Sequence, residues 1–314
     1  MLNLDIVTRF LISFTIGISC YKIFIPFLNK KILSIPNARS SHLIPTPNGG
    51  GIIFVSLFIL VSLVFKTFWP LCLLPLAIIG FVDDIKSQSQ KVRFSVQLFT
   101  SISLLLIIFN NLVLTEFSSL LLIFIIIFLT FLSISIINFV NFMDGIDGLV
   151  ASNILCLLIF KSYFGDMSLI YLIGFLSAFL CFNWYPAKIF MGDVGSTFLG
   201  GTLVYILISA KSLELFFAYL IAASPLIVDP TIVILRRIIN SENIFKAHKR
   251  HLYQRLVHNN ILHWKVSLLY FCYTSILCLS YIIGNIHIQI TTFFVLLISA
   301  YFIDKRFAVF FEII

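Results

Sequence analysis

Charged residues are scarce in this sequence. Only 11% of its 314 residues are Asp, Glu, Lys or Arg, whereas about a quarter of the residues in a soluble globular domain are charged. Apolar residue types make up 60% of the chain, and the mean hydropathy is +1.09. This composition excludes a soluble enzyme, a disordered chain and a collagen-like fibre. It predicts an all-α polytopic membrane protein.

Cysteine motifs are absent as well. The six cysteines all lie in apolar stretches and none belongs to a C-x-x-C pair, so we interpret them as small hydrophobic residues rather than as disulfides or zinc ligands. Lys and Arg outnumber Asp and Glu by 21 to 13, which gives a net charge of +8. In a membrane protein such an excess usually faces the cytoplasm, so we expect no nucleic-acid partner.

Long stretches with few or no charges run along the chain. A helix needs about 20 residues to cross the hydrocarbon core of a bilayer, but several of these stretches have only 13 to 16. Short stretches bounded by carboxylates suggest helices that end at a protein-lined cavity. We therefore predict one integral membrane domain, residues 1–314, built as a bundle of about eleven transmembrane helices with cytoplasmic active-site loops. The stretches are 4–27, 49–65, 69–82, 94–109, 117–137, 148–160, 168–182, 197–210, 213–235, 266–284 and 288–303.

The basic residues predict how these helices are oriented. The connections on one side, together with the C-terminal tail, carry 16 Lys and Arg, whereas the opposite connections and the N-terminus carry 4. Because Lys and Arg collect in cytoplasmic loops, the N-terminus is expected outside and the C-terminus in the cytoplasm. The unusual polar motifs then all face the cytoplasm.

Five aspartates are expected at helix ends on that inner face. Asp83 and Asp84 end the third apolar stretch, Asp144 and Asp147 lie in N-F-M-D-G-I-D-G-L, and Asp193 lies in M-G-D-V-G-S-T. Converging carboxylates repel one another unless a cation, raised pKa values or basic loops offset their charge. A hard divalent cation such as Mg²⁺, held by one or two carboxylates and by substrate phosphates, is the simplest solution. Taken singly, each motif is also compatible with a solvated helix end, a turn or a helix cap.

A basic loop, residues 236–265, supplies a candidate phosphate site. His248 and His251 are three residues apart and Arg255 follows four later, so on a helix the three side chains would share a face. That face would suit a diphosphate or a lipid phosphate. The alternative is a juxtamembrane segment that only binds anionic lipid headgroups.

Other polar residues are interpreted as structural. Asp229 precedes Arg236 and Arg237 by seven and eight residues, so one helix face could hold them as an ion pair. Three further histidines have no partner that the sequence identifies: His258, His263 and His287.

Five motifs occur in order: R-S-S-H-x-x-P-T-P-x-G-G-G, the V-D-D helix end, N-F-M-D-G-I-D-G-L, F-N-x-x-P-A-x-x-F-M-G-D-x-G-S and H-x-x-H-x-Y-Q-R-L. In residues 36 to 256 the sequence therefore resembles the polyprenyl-phosphate N-acetylhexosamine-1-phosphate transferases of glycosyltransferase family 4. That family includes undecaprenyl-phosphate GlcNAc-1-phosphate transferase and phospho-MurNAc-pentapeptide translocase. The resemblance implies an enzyme of the bacterial inner membrane that moves a sugar 1-phosphate from a UDP-sugar to undecaprenyl phosphate and releases UMP. It also implies Mg²⁺ as cofactor, with Mn²⁺ as the alternative, and leaves a homodimer open.

The same resemblance implies roles for individual residues. Asp193 would bind the metal ion, and Asp83 and Asp84 would act on the lipid phosphate, one of them as a base. Phe190 would stack on the uracil ring. His248, His251 and Arg255 would hold the diphosphate or the sugar. The remaining residues expected to bind substrate are His42, Arg93, Asn141, Asp144, Gly145, Asp147 and Asn183.

Two differences from the family's motifs bear on which donor sugar is expected. The translocase branch has three consecutive histidines where this chain has H-K-R-H, which argues against a MurNAc-pentapeptide donor. The motif H-x-x-H-x-Y-Q-R-L instead resembles the subgroup that starts O-antigen or related surface polysaccharides, although Asn48 stands where that subgroup usually has a basic residue. A secondary transporter is the competing class, but it would place its ionisable residues near the middle of the bilayer and show an internal repeat.

Overall fold

A computed structural model of the chain describes residues 4–31, 33–34, 45–109, 119–244, 246 and 248–311. Within these residues there are thirteen α-helices and one pair of two-residue strands, so the prediction of an all-α fold is confirmed. The strands β1 (Leu33–Ser34) and β2 (Thr46–Pro47) are antiparallel. The helices are α1 (Leu4–Lys31), α2 (Gly51–Val64), α3 (Leu74–Ile85), α4 (Gln90–Phe109), α5 (Ser119–Met143), α6 (Leu149–Tyr163), α7 (Ile170–Asn183), α8 (Gly192–Ile208), α9 (Leu213–Ala222), α10 (Ser224–Ile239), α11 (Leu252–His258), α12 (His263–Ile283) and α13 (Ile286–Phe307).

The long helices carry apolar surfaces outward. Helices α1, α4, α5, α12 and α13 are long and apolar enough to cross a membrane. Helices α9 and α10 pass the same test as a pair, with a bend of 70° between them. On α5 the side chains of Phe124, Phe128 and Phe131 are all more than half exposed. Large apolar side chains on this scale are stable only against lipid, so the chain is a multi-pass membrane protein.

Fewer helices are long enough to span a membrane than the eleven that the sequence predicts. Among the described residues, five helices qualify as spans, or six if the bent pair counts as one. Helices α2, α6, α7 and α8 correspond to predicted spans but have only 14, 15, 14 and 17 residues. Most residues of α6 and α8 are buried inside the protein, and both helices begin at polar segments. The count of eleven stays a prediction.

Close packing against α8 brings other helix ends to its N-terminus. A Cβ atom on Gly80 of α3 would lie 2.5 Å from the carbonyl oxygen of Asp193, and one on Gly200 of α8 would lie 2.8 Å from Cα of Ile137 on α5. Only glycine allows backbones to approach this closely, and such small-residue contacts are typical of helix packing in membranes. The last turns of α3 and α5 therefore lie beside the first turn of α8.

The short helix α11 is held by α10 and α12. Asp229 of α10 accepts hydrogen bonds from the backbone N–H groups of Leu252 (2.9 Å) and Tyr253 (3.4 Å). These groups are among those that a helix N-terminus leaves without an internal partner. The hydroxyl of Tyr270 on α12 donates to the same carboxylate at 2.7 Å. Asp229 thus ties three helices together.

The ion pair predicted between Asp229 and the arginines of α10 is wrong. Arg236 lies 3.3 Å from Asp304 of α13, and Arg237 lies 3.3 Å from Glu242. Spacing along one helix could not show that the unpaired N–H groups of another helix would occupy the Asp229 carboxylate instead.

Candidate active site

Polar residues from distant parts of the sequence line one cavity of about 260 Å³. It lies between the last turn of α3, the turn from α5 to α6, the segment 184–191 and the starts of α8 and α12. Among the described residues, its wall contains four aspartates and no Lys or Arg. The lining residues are Ser34, Asn48, Asp84, Asn141, Asp144, Gly145, Ile146, Asp147, Asn183, Phe190, Met191, Gly192, Asp193, Gln254 and His263.

The Asp84 carboxylate binds the first turn of α8. It accepts hydrogen bonds from the backbone N–H groups of Asp193 (2.9 Å) and Val194 (3.2 Å). It also accepts one from the side-chain amide of Asn48 (2.9 Å). A carboxylate at a helix N-terminus satisfies unpaired N–H groups and complements the helix dipole. Asn48, the departure from the family pattern, therefore serves as a neutral partner of Asp84.

Asp193 is positioned from a second side by α5. The side-chain amide of Asn141 donates to Asp193 Oδ1 at 2.9 Å and to the Ser196 hydroxyl at 2.8 Å. The helix dipole in the first turn of α8 favours a negative charge on Asp193, but burial, followed by the neighbouring carboxyl groups of Asp83 and Asp84, raises its pKa to about 7. Two residues of the predicted site are thus brought into contact although they are 52 positions apart.

Asp83 is bound to Arg93 of α4 and lies beside Asp193, although it is not one of the residues that line the cavity. Its carboxylate lies 3.2 Å from a guanidinium nitrogen of Arg93 and accepts a hydrogen bond from the backbone N–H of Gln88. Of the two adjacent aspartates that were predicted for the lipid phosphate, Asp84 lines the cavity and Asp83 interacts with the Asp193 carboxyl group. A direct contact of Asp83 or Arg93 with substrate stays a prediction.

Asp144 is the cavity carboxylate whose charge is least compensated. Its side chain forms no hydrogen bond or ion pair with the described residues. Burial, followed by the negative charges of Asp193, Asp84 and Asp147, raises the pKa of Asp144 to about 8. The carboxyl group is therefore mostly protonated at neutral pH unless positive charge enters the cavity.

The donor set fits a hard divalent cation that takes part of its coordination from elsewhere. Asp84, Asp144 and Asp193 supply carboxylate oxygens, which Mg²⁺ prefers. No three Asp, Glu, His or Cys side chains in the described part of the chain are close enough to hold a metal ion by themselves. Mg²⁺ commonly uses one or two carboxylates and completes its shell with water and substrate phosphates. The cavity fits that second arrangement.

Asp147 and Asn183 hold the cavity wall together. Asp147 Oδ2 accepts a hydrogen bond from the backbone N–H of Ala187 at 3.0 Å. Asn183 accepts one from the backbone N–H of Gly148 (3.0 Å) and donates one to the carbonyl of Ile189 (2.9 Å). Gly148 has a φ of +72°, a conformation that glycine adopts without strain. These bonds join the turn after α5 to the segment that precedes α8.

Gly145 and Phe190, which were predicted to bind the nucleotide, also line the cavity. A Cβ atom on Gly145 would lie 3.0 Å from two ring carbons of Tyr253, so a larger residue would displace that ring. The Tyr253 hydroxyl donates to the carbonyl of Phe142 at 2.9 Å. The turn after α5 is therefore packed directly against α11.

The basic loop does not form the predicted helical face. Residues 248–250 are not helical, and α11 begins at Leu252 with His251 as its N-cap residue. Helical periodicity therefore cannot align His248 with His251 and Arg255. The two histidine rings are 5.0 Å apart, but neither lines the cavity. Burial, followed by the positive charges around it, lowers the pKa of His248 to about 4, so this ring is neutral at pH 7.

Arg255 is buried and holds the segment after α13. Its guanidinium lies 2.5 Å from Asp304 and donates to the carbonyls of Val309 (2.9 Å) and Arg250 (3.2 Å). The ring of Phe311 lies 5.8 Å from the guanidinium carbon. The structure thus gives Arg255 a structural task, and substrate binding by Arg255, His248 or His251 stays a prediction.

Among the cavity residues that the sequence interpretation misses are Gln254 of α11 and His263 at the start of α12, which had been interpreted as structural. His263 Nδ1 lies 3.3 Å from Asp147 Oδ1. In the sequence, the only indication of a role for His263 is that a titratable residue begins an apolar helix. Its partner Asp147 lies far earlier in the chain, so no local pattern joins the two. His42, also predicted to bind substrate, lies outside the described residues.

Comparison with known proteins adds an independent finding. A family model described as glycosyl transferase family 4 matches residues 66–211, a range that contains all four cavity aspartates. The chain is 42% identical over 84 residues to a probable undecaprenyl-phosphate N-acetylglucosaminyl 1-phosphate transferase of Bacillus subtilis (strain 168), covering 25% of this chain and 23% of the relative.

Two other relatives are phospho-N-acetylmuramoyl-pentapeptide-transferases. The one from Thermotoga neapolitana is 36% identical over 105 residues, which is 32% of each chain. The one from Caldicellulosiruptor bescii is 27% identical over 318 residues, covering 89% of this chain and 97% of the relative. The first two matches therefore span about a quarter to a third of their relatives' length, whereas the third spans nearly all of it.

Proposed function

We propose, from the match of residues 66–211 to glycosyl transferase family 4, that this chain transfers an N-acetylhexosamine 1-phosphate from a UDP-sugar to undecaprenyl or another polyprenyl phosphate, with release of UMP. The observation that carries the proposal is the cavity with four aspartates and no Lys or Arg among its described lining residues. A divalent cation bound there would offset part of the negative charge of this wall and of the substrate phosphates. Relatives named as transferases for undecaprenyl phosphate and for phospho-N-acetylmuramoyl-pentapeptide support the same reaction class.

Asp193 and Asp144 are the residues that would hold Mg²⁺, or Mn²⁺ in its place. When bound, the cation would offset the negative charge of the phosphates that meet in the cavity. Asp84 binds the N–H groups of the first turn of α8, and Asn141 binds Asp193 Oδ1, so the two fix the direction of the Asp193 carboxylate. Such fixed polar groups lower a barrier because they need no reorganisation during the reaction.

The reaction itself demands little covalent chemistry from the protein. An oxygen of the polyprenyl phosphate attacks the phosphorus that bears the sugar, and UMP leaves with the bridging oxygen. The second pKa of a phosphate monoester is about 6, so the acceptor is already ionised at pH 7. A general base is then not required, which agrees with the engagement of Asp84 by the N-terminus of α8 and of Asp83 by Arg93. We propose that both aspartates position other groups.

The acceptor would reach the cavity from the inner leaflet. We propose that residues 1–314 form one domain in the bacterial inner membrane, with the N-terminus outside and the C-terminus and the cavity on the cytoplasmic side. The distribution of 16 basic residues on one side against 4 on the other supports this orientation. A soluble nucleotide sugar and a membrane lipid can meet there, in the first membrane step of a surface polysaccharide.

A phospho-N-acetylmuramoyl-pentapeptide donor is the second candidate. The relative from Caldicellulosiruptor bescii favours it, because that match covers 97% of the relative. The H-K-R-H sequence of the basic loop favours a simple amino sugar instead. The two donors differ only in what is attached to the second phosphate, so the cavity aspartates serve either one.

A donor panel separates these candidates. Purified protein in detergent would be given undecaprenyl phosphate, Mg²⁺ and one of UDP-GlcNAc, UDP-GalNAc or UDP-MurNAc-pentapeptide, and lipid-linked product and UMP would both be measured. Asp193→Asn should abolish the Mg²⁺-dependent turnover, while Asp5→Asn, at an exposed acid of α1 paired with Arg9, should leave it unchanged. Full activity of Asp193→Asn, or no transfer from any UDP-sugar, would overturn the proposal.

A further inference from the structure

A second cavity, of about 340 Å³, lies between α10, α12 and α13. Most of its wall is apolar, with Leu269 of α12 and Phe293 of α13 among the lining residues. Ile232 and Tyr301, in the same wall, are 39% and 56% exposed, so the cavity is a groove that opens to the outer surface of the helices. We call it the α10–α13 groove. In a bilayer that surface faces lipid, and an empty apolar groove would lose dispersion contacts that an acyl chain supplies.

Charged residues lie at the end of the groove where α10 and α13 end. Arg236 and Arg255 both contact Asp304, at 3.3 and 2.5 Å. The same three residues line an adjoining cavity of about 250 Å³, whose wall also contains Asn240 and Lys305. The apolar groove therefore leads into a polar cavity with three basic side chains and one carboxylate among its described lining residues.

The basic side chains at this end keep donors for a ligand. A guanidinium has five N–H donors, and Arg236, whose side chain is 38% exposed, gives one of them to Asp304. Lys305 is exposed, and no carboxylate of the described residues forms an ion pair with it. Asp229, the other carboxylate in the wall of the groove, already accepts from the N–H groups of α11 and from the Tyr270 hydroxyl. The end of the groove therefore complements an anion.

Helix α11 separates the groove from the cavity that contains the four aspartates. Leu252 and Arg255 of this helix line the groove, whereas Gln254 lines the aspartate cavity. Among the described residues the two cavities share no lining residue. A phosphate bound by Arg236 is thus on the opposite side of α11 from Asp193. An acceptor lipid, which has to bring its phosphate to the aspartates, does not fit this position.

We infer that the α10–α13 groove binds an anionic glycerophospholipid, such as phosphatidylglycerol, with one acyl chain in the groove and the headgroup phosphate at Arg236 and Lys305. The groove follows α10 from Ser224 to Arg236, about 18 Å of helix. This length is close to the depth of hydrocarbon in one leaflet, about 15 Å. Basic pockets between transmembrane helices bind anionic headgroups, and a guanidinium can hold a phosphate through two parallel N–H bonds.

The inference is tested by headgroup selectivity. Native mass spectrometry of the whole protein in detergent would give the Kd for phosphatidylglycerol and for phosphatidylcholine with the same acyl chains. Arg236→Met and Lys305→Met should each weaken binding of phosphatidylglycerol about fivefold, which corresponds to about 1 kcal/mol for one basic side chain. Binding of phosphatidylcholine should change little. Arg306→Met is the matched control, because Arg306 follows Lys305 on α13 but lines neither the groove nor the adjoining cavity.

A second pair of variants tests the position of the acyl chain. Ala300→Phe places a ring inside the groove without a change of charge, so it should weaken binding of both phospholipids. Val295→Phe, at a position of α13 that is 60% exposed and outside the groove, should weaken neither. Thermal unfolding of each variant shows whether the protein is still folded.

Each outcome decides for or against a phospholipid site. A preference of the wild type for phosphatidylglycerol that falls in Arg236→Met and Lys305→Met, but not in Arg306→Met, supports the inference whether or not the protein transfers a sugar phosphate. Equal Kd values for the two phospholipids, an equal loss in Arg306→Met, or unchanged binding in folded Ala300→Phe would overturn it. Undecaprenyl phosphate that displaces phosphatidylglycerol and depends on the same two basic residues would identify the groove as a site for the acceptor instead.

Discussion

Replacing Arg255 by Met would show whether this side chain supports the fold or binds a substrate phosphate. The buried guanidinium lies 2.5 Å from Asp304, whose side chain is 16% exposed, and it donates to the carbonyls of Val309 and Arg250. Breaking a buried ion pair on one side costs about 3–5 kcal/mol. Because Arg236 still lies 3.3 Å from the same carboxylate, we expect the lower end of this range, about 3 kcal/mol.

Arg236 provides the matched comparison for Arg255. Its side chain is 38% exposed and contacts the same Asp304 at the longer distance of 3.3 Å. An exposed pair of this kind contributes up to about 1 kcal/mol, so Arg236→Met should lower stability by no more than that amount. The difference between the two arginines tests burial while the partner carboxylate is kept constant.

The assay combines unfolding in mixed detergent micelles with the rate of sugar phosphate transfer at saturating donor. If Arg255 acts by holding the segment after α13, Arg255→Met and Asp304→Asn should lower stability and turnover together. Their effects should then be non-additive in the double variant. The reasoning would be refuted if Arg255→Met lowered turnover by about 10²–10³-fold, the loss expected for a contact to transition-state charge, while Asp304→Asn kept full activity and stability.

Three further predictions follow from the cavity and the loops. Gly145→Ala should lower transfer activity, since its Cβ displaces the ring of Tyr253 from the turn after α5, and Tyr253→Ala in the same chain should restore part of the activity. Folding raises the pKa of Asp144 from an ordinary value of 3.8 to about 8. Between these two pH values, Asp144 keeps its proton in the folded chain and loses it in the unfolded chain. Without divalent cations, thermal stability should therefore fall as pH rises from about 4 to about 8, level off above that, and depend less on pH in Asp144→Asn. Finally, a cysteine at position 246 in a Cys-free background should react with an impermeant reagent only from the cytoplasmic side, and labelling from outside would reverse the orientation.

The cavity aspartates show which features of the site can be predicted from the sequence. The sequence predicts that Asp84, Asp144 and Asp193 lie on one face of the membrane, from the apolar stretches and the distribution of basic residues. The mutual repulsion of these carboxylates also predicts a cation. The spacing of residues in the sequence could not show that the Asp84 carboxylate accepts hydrogen bonds from the N–H groups of α8. That contact joins two helix ends that are 109 residues apart.

The basic loop is a part of the chain where prediction from sequence spacing was wrong. A spacing of three and four residues is meaningful only on a helix, and residues 248–250 are not helical because the N-terminus of α11 is set at Leu252 by Asp229. The partner of Arg255, Asp304, is in α13. Neither fact leaves a local pattern in the sequence.

By itself, the sequence determined the membrane class, the helical architecture and the residue types of the site, because hydropathy, charge asymmetry and short motifs are local properties of a chain. The tertiary structure alone decided which of those residues share a cavity, that His263 joins Asp147 there, and that Arg255 is buried elsewhere. The physical reason is that the packing of helix ends brings together groups that are far apart in the sequence. Such distant groups compete with local ones as hydrogen-bond and ion-pair partners. Sequence spacing carries no information about that competition.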